Sequence, residues 1–173
     1  ASGYVQMDET TVQVLKEKNR RPTTKSYMWV RYCPGDKPII LYDYDPSRSS
    51  DVPIELLDGF RGHLQVDGYD GYAPVCNKYN LTRVGCWDHA RRKFYDAFKT
   101  SGGKGVGKKA LDRIKKLYKI EKEIKALSSE QRLKVRQEKS LPILTEFKQW
   151  IDEQRVKTTP SSSAGKALNY AFN

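Results

Sequence analysis

The sequence holds little that could ligate zinc or form a disulfide framework: two histidines and three cysteines in 173 residues. Cys33, Cys76 and Cys86 are odd in number and scattered, so they read as reduced thiols of a cytosolic protein. No apolar run is long enough to span a bilayer, and no secretory leader is expected. No helix-turn-helix pattern is recognisable. Acidic residues are also short, 21 against 32 Lys and Arg, which leaves a net charge of +11 and a pI of about 9.5. Such an excess favours a polyanionic partner, with nucleic acid ahead of an anionic membrane. The hydrophobic fraction is only 38%, but 11 Tyr, 5 Phe and 3 Trp can build a core, so global disorder is excluded. The length suits one compact domain with a helical appendage.

Ala1-Ser2-Gly3 reads as a cloning remnant. From Tyr4 to Leu15 apolar residues alternate, predicting one strand or two with Asp8 embedded. Strands are expected over 27–32 and 38–44, joined by the turn Cys33-Pro34-Gly35-Asp36. Asp51 is a candidate cap for a short helix with Ile54, Leu57 and Phe60 inward. A fourth strand ends at Asp67, a short helix begins near Asp70, and a fifth strand covers 81–86. Trp87 to Lys99 has helical spacing. The predicted order is therefore β-β-β-α-β-α-β-α. A Gly- and Lys-rich linker is expected over 101–107, then helices over 110–127 and from Ser128 to about 157. Ser128 and Gln131 form a capping box, Leu133, Leu144, Phe147 and Ile151 point inward, and Pro142 introduces a kink. One more helix begins near 164, and the chain reads as cut rather than finished. The expected organisation is a core over 4–100, an antiparallel helical insertion over 104–157, and the start of a further core helix over 163–173.

Two acids stand in similar settings. Asp8 lies on the first strand, and Asp67 closes the fourth, followed by Gly68-Tyr69-Asp70-Gly71-Tyr72. Asp-Gly is ordinary turn chemistry. If the first strand of the meander is central, however, the fourth can pair with it after a crossover, roughly 5 Å away. Two carboxylates at matching height would then share divalent cations, and hard oxygen ligands suit Mg²⁺ or Mn²⁺. Phosphodiester cleavage uses that chemistry. Acids on strands one and four of this element order define the ribonuclease-H-like arrangement, an α/β fold with a mixed five-stranded sheet and flanking helices.

The strings Met7-Asp8-Glu9-Thr10, Gln65-Val66-Asp67-Gly68-Tyr69-Asp70-Gly71-Tyr72 and Cys86-Trp87-Asp88-His89-Ala90-Arg91-Arg92-Lys93-Phe94 resemble the DDE transposases of the insertion sequence 66 family. The resemblance extends over nearly the whole chain, including the helices around Arg136 to Ile151. It implies a metal-dependent DNA transposase whose catalytic and metal-binding residues include Asp8 and Asp67. It further implies DNA partners (transposon ends and target), a bacterial cytoplasmic setting, a homo-oligomer in the active complex and accessory proteins of the same element. The family's third acid, a Glu in an Asp-Asn-Asn-x-x-Glu-Arg-like string, has no match here, since Asp152 and Glu153 lack that context. The chain is thus expected to be a fragment, inactive without that Glu.

Other motifs carry less. Cys86 and His89 form a Cys-x-x-His pair without two further zinc ligands, so a site-shaping role is expected. His89-x-x-Arg92 occurs in tyrosine recombinases, but that reading leaves Asp8 and Asp67 unexplained. Residues 102–109 approach a P-loop, but Lys109 replaces the required Ser or Thr and a helix precedes it. Arg91, Arg92, Lys93, Lys108, Lys109, Arg113 and Lys116 are the candidate DNA-backbone contacts. Part of that charge is a solvated face with i, i+4 pairs, expected for Asp112 with Lys116 and Glu121 with Lys125. Two alternatives stay open: a stand-alone ribonuclease-H-like nuclease or junction resolvase, and a non-catalytic basic DNA-binding module.

Overall fold

A computed structural model of the chain describes residues 3–172. The remnant assigned to Ala1 and Ser2, and the last residue of the expected final helix, Asn173, lie outside the described residues. The chain divides into two compact units, Ala1–Cys86 and Trp87–Asn173.

The first unit is the mixed α/β sheet. Strands β1 (Tyr4–Gln13), β2 (Lys25–Cys33) and β3 (Ile39–Asp45) form the antiparallel meander. Helix α1 (Asp51–Leu56) carries the chain across to β4 (His63–Val66), which lies parallel to β1. A single 3₁₀ turn (Asp70–Tyr72) and α2 (Ala73–Tyr79) then lead to β5 (Thr82–Gly85), parallel to β4. The sheet order is β3-β2-β1-β4-β5, the ribonuclease-H-like arrangement with β1 in the centre. Alternation along β1 and β4 buries Val5, Met7, Leu64 and Val66 on one face, together with Trp29, Tyr72 and Val75. Tyr4 and Gln6 point to the opposite face, where Tyr4 donates its hydroxyl hydrogen to Gln65. At the outer edge, β3 leaves Ile39, Ile40, Leu41 and Tyr42 exposed.

Asp51 opens α1 rather than capping it. Ser50 takes the cap position, and the Asp51 carboxylate instead accepts from the Ser49 hydroxyl, 2.8 Å away. The helix buries Val52 and Pro53, and Leu57 just beyond it, while Ile54 and Phe60 pack half-buried against the same core.

The second unit is helical: α3 (Trp87–Thr100), α4 (Gly105–Glu123), α5 (Ser129–Val135), α6 (Leu141–Lys157) and α7 (Ser163–Phe172). Its core joins Phe94 and Ala97 of α3 to Ala110, Ile114, Phe147, Ile151, Ala167 and Leu168. The contact division thus falls at residues 86 and 87, and α3 shares its apolar face with the helices that follow it. Helix α4 starts inside the stretch expected to be linker. Gly107 explains this: a Cβ there would lie 2.4 Å from the Phe98 nitrogen and 2.7 Å from the Phe94 oxygen. Only a glycine lets the two helix backbones approach so closely, so its role is packing rather than flexibility.

The capping box of Ser128 and Gln131 forms as expected. Pro142 sits in the first turn of α6 and is preceded by a π-helical segment, Arg136–Ser140. A proline lacks the N–H that a preceding α-helical turn needs and crowds its carbonyl, which accounts for the widened turn before it. Leu133, expected inward, is 57% exposed, because α5 buries none of its residues. The two expected i, i+4 pairs are also re-partnered. Asp112 bonds Lys108 at 2.6 Å, and Glu121 takes a two-pronged bond from Arg136 across the helices. That contact holds the Glu121 carboxyl below its usual pKa.

Candidate nucleic-acid-processing site

The β1–β4 ladder pairs Tyr4 with His63, Val5 with Leu64 and Gln6 with Gln65, and there it stops. Two residues further along each strand stand Asp8 and Asp67. The parallel register, continued two residues beyond its last pair, sets Asp67, just past the end of β4, opposite Asp8, in the middle of β1 and paired with Val30 of β2. Asp67 therefore stands beyond the carboxyl end of β4, where open α/β sheets commonly hold ligands. Asp8 is exposed and Asp67 half-buried. Each carboxylate is turned by a neighbouring amide: Asp8 Oδ1 accepts from the Glu9 N–H at 3.0 Å, and Asp67 Oδ1 from the Tyr69 N–H at 2.9 Å. Arg83 of β5 braces the turn after Asp67 by donating to the carbonyls of Asp67, at 2.8 Å, and Tyr69, at 2.9 Å.

Sequence reasoning passed over the groups beneath. Glu9 follows Asp8 and so faces the core side of the sheet, where its side chain is 2% exposed. Both of its oxygens are engaged. Arg48, from the loop between β3 and α1, donates through Nε at 2.7 Å and through Nη2, and Tyr72 donates its hydroxyl hydrogen. The Arg48 guanidinium lies 3.8 Å from the centre of the Tyr69 ring, and its backbone carbonyl accepts from Tyr69 Oη at 2.7 Å. Tyr72 meets Trp29 and Tyr69 edge to face. Burial, then the bond to Glu9 and the fields of Glu9, Asp67 and Asp8, push the Tyr72 phenol far above its ordinary pKa. Burial tends to lower the Arg48 pKa, but Glu9, with Tyr69 and Asp67 behind it, leaves it raised. The signal that could have found this cluster is the polar residue at an inward position of β1, next to Asp8.

Glycine at residue 71 makes room for a ring. A Cβ there would stand 2.2 Å from Tyr69 Cε1, so the Tyr69 ring lies where a side chain would be. Among the described residues, no group of three or more His, Cys, Asp or Glu side chains is placed to hold a metal.

The remaining candidates are distributed over both units. Cys86 closes the first unit as a half-buried free thiol. In the second, His89 lies in the first turn of α3 with Nε2 3.0 Å from Arg92 Nη2. Arg91 pairs with Asp88 at 3.6 Å, and the Lys93 ammonium lies 5.7 Å from the Tyr170 ring centre. Lys108 is held by Asp112. Arg113 covers the Trp150 ring at 4.6 Å and bonds the Lys109 carbonyl and Glu146, so its guanidinium serves the packing of α4 on α6. Lys109 and Lys116 are exposed on α4 and, among the described residues, make no ion pair.

The sheet order, with β4 parallel to and beside the central β1 of an antiparallel meander, defines a ribonuclease-H-like domain. The chain belongs to the Transposase IS66 family, whose sequence profile matches residues 1–173. Similar relatives include three uncharacterized proteins of Sinorhizobium fredii (strain NBRC 101917 / NGR234). The protein y4qI is 32% identical over 95% of this chain and 33% of its own length. The corresponding values are 30%, 94% and 33% for y4hP, and 32%, 95% and 34% for y4jD. The chain therefore spans about a third of the length of the curated relatives it matches. Among solved structures, a chain of the simian T-cell lymphotropic virus intasome in complex with the PP2A regulatory subunit B56 gamma aligns with a TM-score of 0.35 and 15% identity. That alignment covers 78% of this chain and 46% of the other. At that level it adds nothing to the topology already described. Among the described residues no helix is long and apolar enough to cross a membrane.

Proposed function

We propose that this chain supplies the first two acids of a DDE-type DNA transposase, Asp8 and Asp67, and that together they bind Mg²⁺ or Mn²⁺. The observation that carries the reading is the parallel register of β1 and β4, whose continuation by two residues sets Asp67 opposite Asp8, in a member of a transposase family. The donor set fits the ion. Mg²⁺ is commonly held by one or two carboxylates, with water and substrate phosphate completing the shell, and two aspartates, one exposed on β1 and one half-buried just past β4, offer that. When bound there, the ion supplies charge stabilisation to the phosphate oxygens of an in-line displacement. The chain's own part is positional. The Glu9 and Tyr69 amides aim the two carboxylates, and the exposed lysines of α4 add sequence-independent attraction for the DNA backbone. The third acid is assigned to protein outside residues 1–173. The active complex is read as a homo-oligomer that joins transposon ends to target DNA in the bacterial cytoplasm, with accessory proteins of the same element.

The test is cleavage of an end-containing oligonucleotide with Mg²⁺ by the longer protein. Asp8→Ala and Asp67→Ala should each abolish strand cleavage and strand joining without preventing DNA binding. Cleavage that survives both changes overturns the proposal. Asp8-dependent cleavage by residues 1–173 alone would replace it with the stand-alone nuclease.

A further inference from the structure

We propose that Glu9, Arg48 and Tyr72 form a positioning clamp that fixes the turn carrying Asp67 against Asp8 where the β1–β4 ladder no longer does. The proposal rests on the reading of the two aspartates as one metal site. Backbone pairing of β1 with β4 ends at Gln6 and Gln65; Asp8 is still fixed by its pairing with Val30 of β2, whereas Asp67 lies just past the end of β4. Side chains bridge the gap instead. Tyr72 and Tyr69 belong to the turn that follows Asp67, Arg48 belongs to the loop before α1, and Glu9 is bonded covalently to Asp8. The buried Glu9 carboxylate takes the Tyr72 hydroxyl on one oxygen and the Arg48 fork on the other. Arg48 passes the connection on to Tyr69 through the ring stack and the carbonyl bond. The Tyr69 amide returns it to Asp67 Oδ1. Two routes thus run from Asp8 to the Asp67 turn, and both pass through one carboxylate.

The chemistry of the clamp argues for geometry over stability. A carboxylate 2% exposed carries a desolvation cost, and a well-packed apolar residue in its place is often as stable. What an apolar residue lacks is direction. The two Glu9 oxygens, with fixed donors on each, hold the turn and the loop at set distances from β1. Glu9, Arg48 and Tyr72 touch neither the metal nor DNA in this reading, so they are positioning residues. Groups that orient metal ligands in this way typically alter metal affinity by about 10–100-fold when removed.

Two measurements on this chain test the clamp: Mn²⁺ affinity by calorimetry, and amide hydrogen exchange at Glu9 and Tyr69, whose N–H groups point at the two aspartates. Tyr72→Phe and Glu9→Gln are each expected to weaken Mn²⁺ binding about tenfold or more. They are also expected to speed exchange at those two amides relative to the rest of β1. Arg48→Lys keeps the charge but not the fork, and should fall between parent and Glu9→Gln. It also serves if either buried variant fails to fold. Val75→Ala, a core change outside the clamp, should lower overall stability and leave Mn²⁺ affinity unchanged. Mn²⁺ affinity within twofold of the parent in the folded clamp variants overturns the proposal. If the parent itself shows no Mn²⁺ signal that Asp8→Ala removes, the metal reading fails, and amide exchange alone decides the clamp: selective acceleration supports it and unchanged exchange refutes it.

Discussion

Replacing Gly71 by alanine sets two opposed effects against each other, and the structure decides the sign. Alanine lowers the entropy of the unfolded chain and on that ground alone should stabilise by about 0.4–1 kcal/mol. The new Cβ, however, would lie 2.2 Å from Tyr69 Cε1, 2.5 Å from Cζ and 2.8 Å from the hydroxyl oxygen, so the ring must move. A free surface ring would move at little cost. This one is held by three contacts: the Arg48 stack, the bond to the Arg48 carbonyl and the edge-to-face meeting with Tyr72. Their typical worths are about 0.5–1, about 1 and about 0.5–1.5 kcal/mol. Losing them outweighs the entropic gain, and Gly71→Ala should destabilise the first unit by about 1–2 kcal/mol. In a Tyr69→Ala background the obstacle is gone, and the same Gly71→Ala change should stabilise by about 0.4–1 kcal/mol. The assay is urea unfolding followed through the indole N–H resonance of Trp29, which lies in the first unit. A Gly71→Ala variant as stable as the parent, or no reversal of sign in the Tyr69→Ala background, would mean that the Tyr69 ring is not held by these contacts.

Three further outcomes follow from the same structure. The Tyr72 pKa is raised on folding, so its contribution to stability is complete below the ordinary phenol value near 10.0 and is lost as pH rises past it, because the unfolded chain ionises first. Alkaline titration of unfolding should therefore steepen above about pH 10 in the parent and flatten in Tyr72→Phe; equal slopes would count against the buried Tyr72–Glu9 bond. Gly107→Ala should destabilise the second unit by more than about 2 kcal/mol, since its Cβ meets backbone rather than a movable side-chain tip, and a neutral thermal melt would contradict that packing. DNA binding should fall steeply with salt, with Lys109→Ala and Lys116→Ala each reducing the logarithmic slope by about one. Arg113→Ala should instead lower thermal stability through its lost cover over Trp150.

Most of the sheet was legible in the sequence because its residues alternate. Val5, Met7, Leu64 and Val66 mark buried positions two apart, and Asp-Gly marks the end of β4. The placement of β4, which leads into Asp67, parallel to and beside β1, which carries Asp8, followed from element order, since a crossover from a meander brings the fourth strand beside the first. Three features were not legible for physical reasons. Gly107 reads as a linker residue, and only the approach of the α3 backbone shows it to be a packing residue. Arg113 reads as one more cation of a basic helix, while Trp150, 37 positions away, gives it a packing role. Glu9 sits inside a string already noted for Asp8, but its importance depends on Arg48 and Tyr72, which no local spacing connects to it. Long-range side-chain partners are the part of a site that periodicity does not encode.

The proposed function requires Asp8 and Asp67 to act as one site. Calorimetric titration of this chain with Mn²⁺ tests it most directly, alongside Asp8→Ala, Asp67→Ala and the double variant. One site in the parent, lost in either single variant with no further change in the double, is the predicted result. Binding that persists in Asp8→Ala, or losses in the two single variants that add in the double as two independent sites would, contradicts it.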